Sequence, residues 1–246
     1  MPALRANIAP ALPRLVLADG TLEALKWLGL VLMTGDHVNK YLFNATLPGL
    51  FEAGRLCLPI FVFILAYNLA RSGALAGGIY TRTMKRLVAF GILASVPFIA
   101  LNLNYLHGWP FGPLNVLFTL LIITATAYLV EKGGIVNRVS AFVVFLFGGS
   151  LVEYWWPAVA LGLAIWMYCK RPSWTAAAIA LLSWAALWFI NGNLWALVSL
   201  PLLLVATRLD VPMPRLRWAF YTYYPLHLVV LWLIRIPMSK AGYLFF

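Results

Sequence analysis

Charge is scarce in this chain, and negative charge most of all. Only 10% of the 246 residues are Asp, Glu, Lys or Arg, and 7 of them are acidic. Cysteine occurs twice and histidine three times. No Cys/His set has the spacing of a metal site, so no metal is expected. No glycine-rich phosphate loop and no dinucleotide fingerprint is present, so the common soluble nucleotide folds are excluded. Cys57 and Cys169 fall at opposite ends of their predicted helices, out of reach of a disulfide. The opening MPALRANIAPALPRLVLADG lacks an unbroken apolar run, because Pro10, Pro13 and Arg14 interrupt it, so it does not read as a signal peptide. Internal repeats, low-complexity runs and a second domain are also lacking.

What is abundant is apolar surface. Hydrophobic residues make up 63% of the chain, more than a soluble domain of this length can hide. The class is therefore an all-α, polytopic integral membrane bundle. The balance of 18 Lys+Arg against 7 Asp+Glu gives +11. The basic residues sit at the ends of apolar runs, which fits the positive-inside rule and not nucleic-acid binding.

About nine transmembrane helices are predicted, within a range of eight to ten. They run near 22–43, 52–71, 84–103, 114–130, 136–152, 158–169, 174–190, 194–207 and 218–236. The sixth is short and is read as tilted or incompletely spanning, and one element within 158–204 is open to a re-entrant reading. The segment SGALAGGIYTRTMKR, 72–86, reads as a basic loop. Residues 1–20 read as a cytoplasmic lead-in and 21–246 as one membrane domain. Arg71, Arg82, Lys85 and Arg86 fall in one loop, Lys132 and Arg138 in another, Lys170 and Arg171 in a third, and Arg208, Arg215 and Arg217 in a fourth. The alternate loops, around His107, Trp155 and Asn191, carry no Lys or Arg. That alternation predicts a cytoplasmic N-terminus.

The first helix, LEALKWLGLVLMTGDHVNKYLF, holds Lys26, Asp36 and His37 in an otherwise apolar stretch. An intramembrane charge costs about 2.5–3.5 kcal/mol, which points to a function. Lys26 and His37 are separated by three turns plus about 20°, so they share a face, about 16 Å apart along the axis. Asp36 leaves about 100° away, with Lys40 at the i, i+4 spacing for a pair.

His37 reads either as a histidine bonded between helices or as a base for an attacking amine or hydroxyl. Arg55 reads as an interfacial anchor paired with Glu52 or Asp36, or as a stabiliser of negative charge near His37. Glu153 reads as a solvated helix end or as a contact for a cationic acceptor. Asn115 and Thr119 are one turn apart and aim polar groups at one spot, in packing or at an oxyanion. His227, mid-helix after Pro225, is a functional candidate with a packing role as the alternative. His107 reads as interfacial. Arg82, Lys85 and Arg86 set topology and also suit a phosphorylated cytosolic cofactor.

The blocks LKWLGLVLMTGDHVNKYLF, GRLCLPIFVFILAYNLAR, YTRTMKRLVAF with SVPF, LNVLFTLL and YYPLHLVVLWLI resemble the successive blocks of the TraX family, from about Leu25 to Ile234. That family is associated with acetylation of the N-terminus of conjugative pilin. It is similar to the membrane acyltransferase-3 superfamily, in which a basic residue precedes a histidine by eleven positions on the first helix. The resemblance implies that His37 is the catalytic histidine, with Asp36 in the acidic position beside it, Lys26 its basic partner and Arg55 the arginine of the second-helix block. It assigns His227 to the last block without a role. It implies a bacterial inner-membrane protein with acetyl-CoA as co-substrate and a pilin subunit as acceptor. The CoA phosphates would dock on Lys26, Arg82, Lys85 or Arg86. Competing expectations are an O-acyltransferase acting on a sugar or lipid hydroxyl, a proton-coupled transporter using Asp36, His37 and His227, and a pilus-assembly scaffold.

Overall fold

Proline and glycine decide where these helices start and break. The computed structural model describes residues 12–102, 113–216 and 218–245; residues 1–11, His107 with most of its loop, and Arg217 lie outside them. The described helices are α1 (Asp19–Leu42), α2 (Pro48–Gly54), α3 (Cys57–Ala70), α4 (Ile79–Asn102), α5 (Val116–Lys132), α6 (Ile135–Val143), α7 (Gly149–Leu151), α8 (Trp155–Lys170), α9 (Trp174–Ala186), α10 (Trp188–Asn191), α11 (Ser199–Ala206) and α12 (Ala219–Lys240). Short helical turns join α6 to α7 and lead into α11, and α2–α3 and α9–α10 are bent single rods. Counted this way, the described residues form nine rods.

The second rod breaks at Arg55 because Pro59, four residues on, has no N–H for the Arg55 carbonyl and would press its ring against it. The expected loop 72–86 is shorter than its composition suggested. Gly73 and Gly78 turn the chain at φ +75° and +64°, and α4 starts at Ile79. Tyr80 explains the early start. It is fully buried, donates from its hydroxyl to the Leu69 carbonyl at 3.0 Å and accepts from Trp166 Nε1 at 2.9 Å. Arg82, Lys85 and Arg86 therefore project from the first turns of α4 and not from a loop. At the other end of that helix pair, Asn115 caps α5, accepting from the Leu117 amide at 3.1 Å.

Four rods have the length and apolar character to cross a membrane: Pro48–Ala70, Ile79–Asn102, Trp174–Asn191 and Ala219–Lys240. α1 has the length but carries Glu23, Lys26, Asp36 and Lys40. α8, with 16 residues, is about 24 Å long, short of a hydrocarbon core of about 30 Å. It is nonetheless central: Ala158, Val159 and Leu161 are almost fully buried, packed in one core with α3 and α5. A second core joins α1, α4, α5 and α12.

Contacts at the rod ends give the directions. Asp19 pairs with Arg71 and Asp36 with Arg55, so α1 and α3 are antiparallel. Along α1 and α12, Lys26 lies over Phe220, Thr34 meets Tyr223 and His37 meets His227, so these two run parallel. α4 is parallel to α12 as well, with Arg86 over Trp218 at one end and Arg235 bonded to the Leu101 carbonyl at the other. Glu131 and Lys170 pair at the ends of α5 and α8. These contacts fix the relative directions only of the rods they join. The stretch before α1 is extended and lies against the bundle: the Leu17 amide donates to Tyr67, and Tyr168 donates to the Pro13 carbonyl.

Candidate functional site

Two polar groupings stand out, one towards each end of α1. The first surrounds His37. Its Nδ1 lies 2.7 Å from His227 Nε2, with the two rings within 9° of parallel. His227 is 7% exposed and its Nδ1 is 3.0 Å from the Tyr223 carbonyl. Tyr223 stacks on His227 at 5.2 Å, and its hydroxyl is 2.6 Å from Thr34 on α1. Tyr41 flanks the other ring at 5.5 Å. The mid-helix His227 expected from sequence thus meets His37 directly.

Asp36 turns away from His37 and pairs with Arg55, the two side chains being 13% and 11% exposed. α2 comes so close here that a Cβ on Gly54 would lie 2.7 Å from Asp36 Cγ. Arg55 also donates from Nε to the Phe51 carbonyl at 3.1 Å and from Nη1 to Asn191 at 3.4 Å. A guanidinium has five N–H groups. Among the described residues three are thereby engaged and two remain. Lys40 bonds Asn102 at 3.0 Å, and Asn102 holds the Tyr41 hydroxyl. The segment between α7 and α8 adds Glu153 and Tyr154, both electrostatic neighbours of Arg55. Glu153 also feels Lys40 and Asp36, so it belongs to the same grouping.

Asn115 and Thr119 have other partners. The Asn115 amide donates to the Gly91 carbonyl at 3.0 Å and to Ser95 at 3.2 Å, which uses both its hydrogens. Thr119 donates to the Glu153 carbonyl at 2.8 Å. Their donors tie α5 to α4 and to the α7–α8 segment.

The second grouping is at the basic end. Asp19, Glu23, Lys26, Asn68, Arg71 and Arg215 line a small recess that is open to solvent. Lys26 donates to Glu23 Oε1 at 2.6 Å, and Glu23 Oε2 is buried without a partner among the described residues. Arg86 lies 4.9 Å from the exposed Trp218 ring and 5.7 Å from Tyr221, and Arg82 and Lys85 are exposed. Sequence reasoning missed Arg71 and Arg215, which it read as loop charges, and Thr34 with Tyr223. The only trace of the latter pair in sequence is that Tyr223 lies one turn before His227 and Thr34 one turn before His37.

Comparisons with known proteins agree on a single name. A family model described as TraX protein matches residues 21–235. A curated relative, Protein TraX of Escherichia coli, is 33% identical over 104 residues. That match covers 42% of this chain and 38% of the relative, so the chain spans well under half the length of that relative. No solved structure matches.

Proposed function

The chain belongs to the TraX family, and on that premise we propose that it is an acetyltransferase of the bacterial inner membrane. It moves an acetyl group from cytosolic acetyl-CoA to the N-terminal amine of a conjugative pilin on the opposite side. One observation carries the proposal: a histidine pair joins α1 to α12 beside a buried Asp36–Arg55 pair, with a charged recess lined by Lys26, Arg71 and Arg215 together with Asp19 and Glu23 at the other end of α1.

CoA phosphates are held at the basic end by Lys26, Arg82, Lys85 and Arg86, joined by Arg71 and Arg215, since cationic side chains bind phosphate by charge and geometry. The acceptor amine attacks the thioester carbonyl, the C–N bond forms and the C–S bond breaks. CoA leaves as the thiolate and His37 Nε2 takes the amine proton. The two remaining N–H groups of Arg55 face the negative charge that develops on the carbonyl oxygen. Glu153 attracts the cationic form of the amine as it arrives.

The test uses membranes containing the full chain, labelled acetyl-CoA and a pilin peptide with a free N-terminal amine. Label is expected on the amine. His37→Ala lowers the rate by at least about 10²-fold while the protein stays folded. Full transfer by folded His37→Ala sinks the mechanism. Label on surface glycans in place of pilin moves the acceptor to a sugar hydroxyl.

A further inference from the structure

We propose that His227 is a positioning residue for His37: it holds the His37 ring in the tautomer whose Nε2 carries no proton, and shares the positive charge when that nitrogen gains one. Only the kinetic part of the test below rests on the acetyl-transfer reading. The tautomer is a property of the fold alone.

The assignment follows from counting hydrogens. A backbone carbonyl only accepts, so the His227 nitrogen 3.0 Å from the Tyr223 carbonyl, Nδ1, must carry a hydrogen. A neutral imidazole has one N–H, so His227 Nε2 is then a bare acceptor. His37 Nδ1 lies 2.7 Å from it and must donate. That uses the one hydrogen of neutral His37 and leaves its Nε2 with a free lone pair, the form a general base needs. His37 Nε2 makes no hydrogen bond among the described residues. The pair has room for one further proton and no more, because two imidazolium rings would set N–H against N–H across the contact.

The arrangement is braced from α1. Thr34 has one hydroxyl hydrogen, and its contact with the Leu30 carbonyl, 2.7 Å, takes it. Tyr223 must therefore donate to Thr34 across the 2.6 Å contact. That bond fixes the Tyr223 ring, which lies within 13° of parallel to His227. The chain Tyr223 carbonyl, His227, His37 has the logic of a triad in which a third group fixes the tautomer of the base, where loss of the orienting partner costs up to about 10⁴-fold. Here a second imidazole replaces the carboxylate.

The experiment places the full chain, with ¹⁵N-labelled histidine, in lipid bilayers and reads both ring nitrogens of His37. It compares the wild type with His227→Gln, whose amide oxygen still accepts, and His227→Leu, which cannot. The Nδ1–H form is expected in the wild type and in His227→Gln, and a switch towards Nε2–H in His227→Leu. In acetyl transfer, His227→Leu lowers kcat about 10–10³-fold with KM changed less than about twofold, and His227→Gln recovers about tenfold of that loss. An Nε2–H His37 in the wild type overturns the assignment, and so do equal kcat values for the two variants. If the expected tautomer appears in a protein that acetylates nothing, the positioning role stands and the acetyltransferase reading falls.

Discussion

Asp36 and Arg55 show what a single residue carries here. Each is nearly enclosed, and each partly offsets the cost of burying the other. Asp36→Asn leaves a guanidinium without its counter-charge, and a loss of about 3 kcal/mol is expected, measured as a lower midpoint of thermal unfolding in detergent. Replacing both, with Asp36→Leu and Arg55→Met, restores most of that stability and leaves transfer abolished, because a stable apolar pair offers no donor to the reacting oxygen. A double variant that keeps full activity removes Arg55 from the chemistry. At this scale the sequence was informative where spacing along one helix decides. Lys26 and His37 do project to one side, and both meet α12, at Phe220 and His227. It was silent where partners are far apart in the chain. Thr34 and Tyr223, separated by 189 positions, look like any hydroxyls in an apolar run.

At the scale of elements, the rods were legible because each needs a long apolar stretch, and their breaks were less so. Pro59 is visible in the sequence, but that its break would fall on Arg55 and turn the guanidinium towards Asp36 depends on α1. The start of α4 was masked by its own charges: Arg82, Lys85 and Arg86 read as a solvated loop, while Tyr80 among them is buried at the meeting of α3, α4 and α8. Tyr80→Phe removes the acceptor for Trp166 and the donor for Leu69 together. A loss of about 1–3 kcal/mol is expected, with faster amide exchange in the first turns of α4 and no change in KM for the pilin peptide. Wild-type stability in that variant would show that the hydroxyl does not anchor the junction.

For the whole molecule, the positive-inside rule makes a testable assignment, with the basic end in the cytoplasm. In a background with Cys57→Ser and Cys169→Ser, a membrane-impermeant thiol reagent added from the periplasm is expected to label Thr46→Cys, between α1 and α2. Asp210→Cys, before α12, is expected to react only after the membrane is opened. The reverse pattern inverts the orientation and puts His37 on the cytoplasmic side. The first and last rods lie side by side, and the two halves of the histidine pair come one from each. The pair therefore cannot exist until α12 has packed beside α1, so a variant cut off before α12 keeps His37 but loses the ring nitrogen that accepts from it.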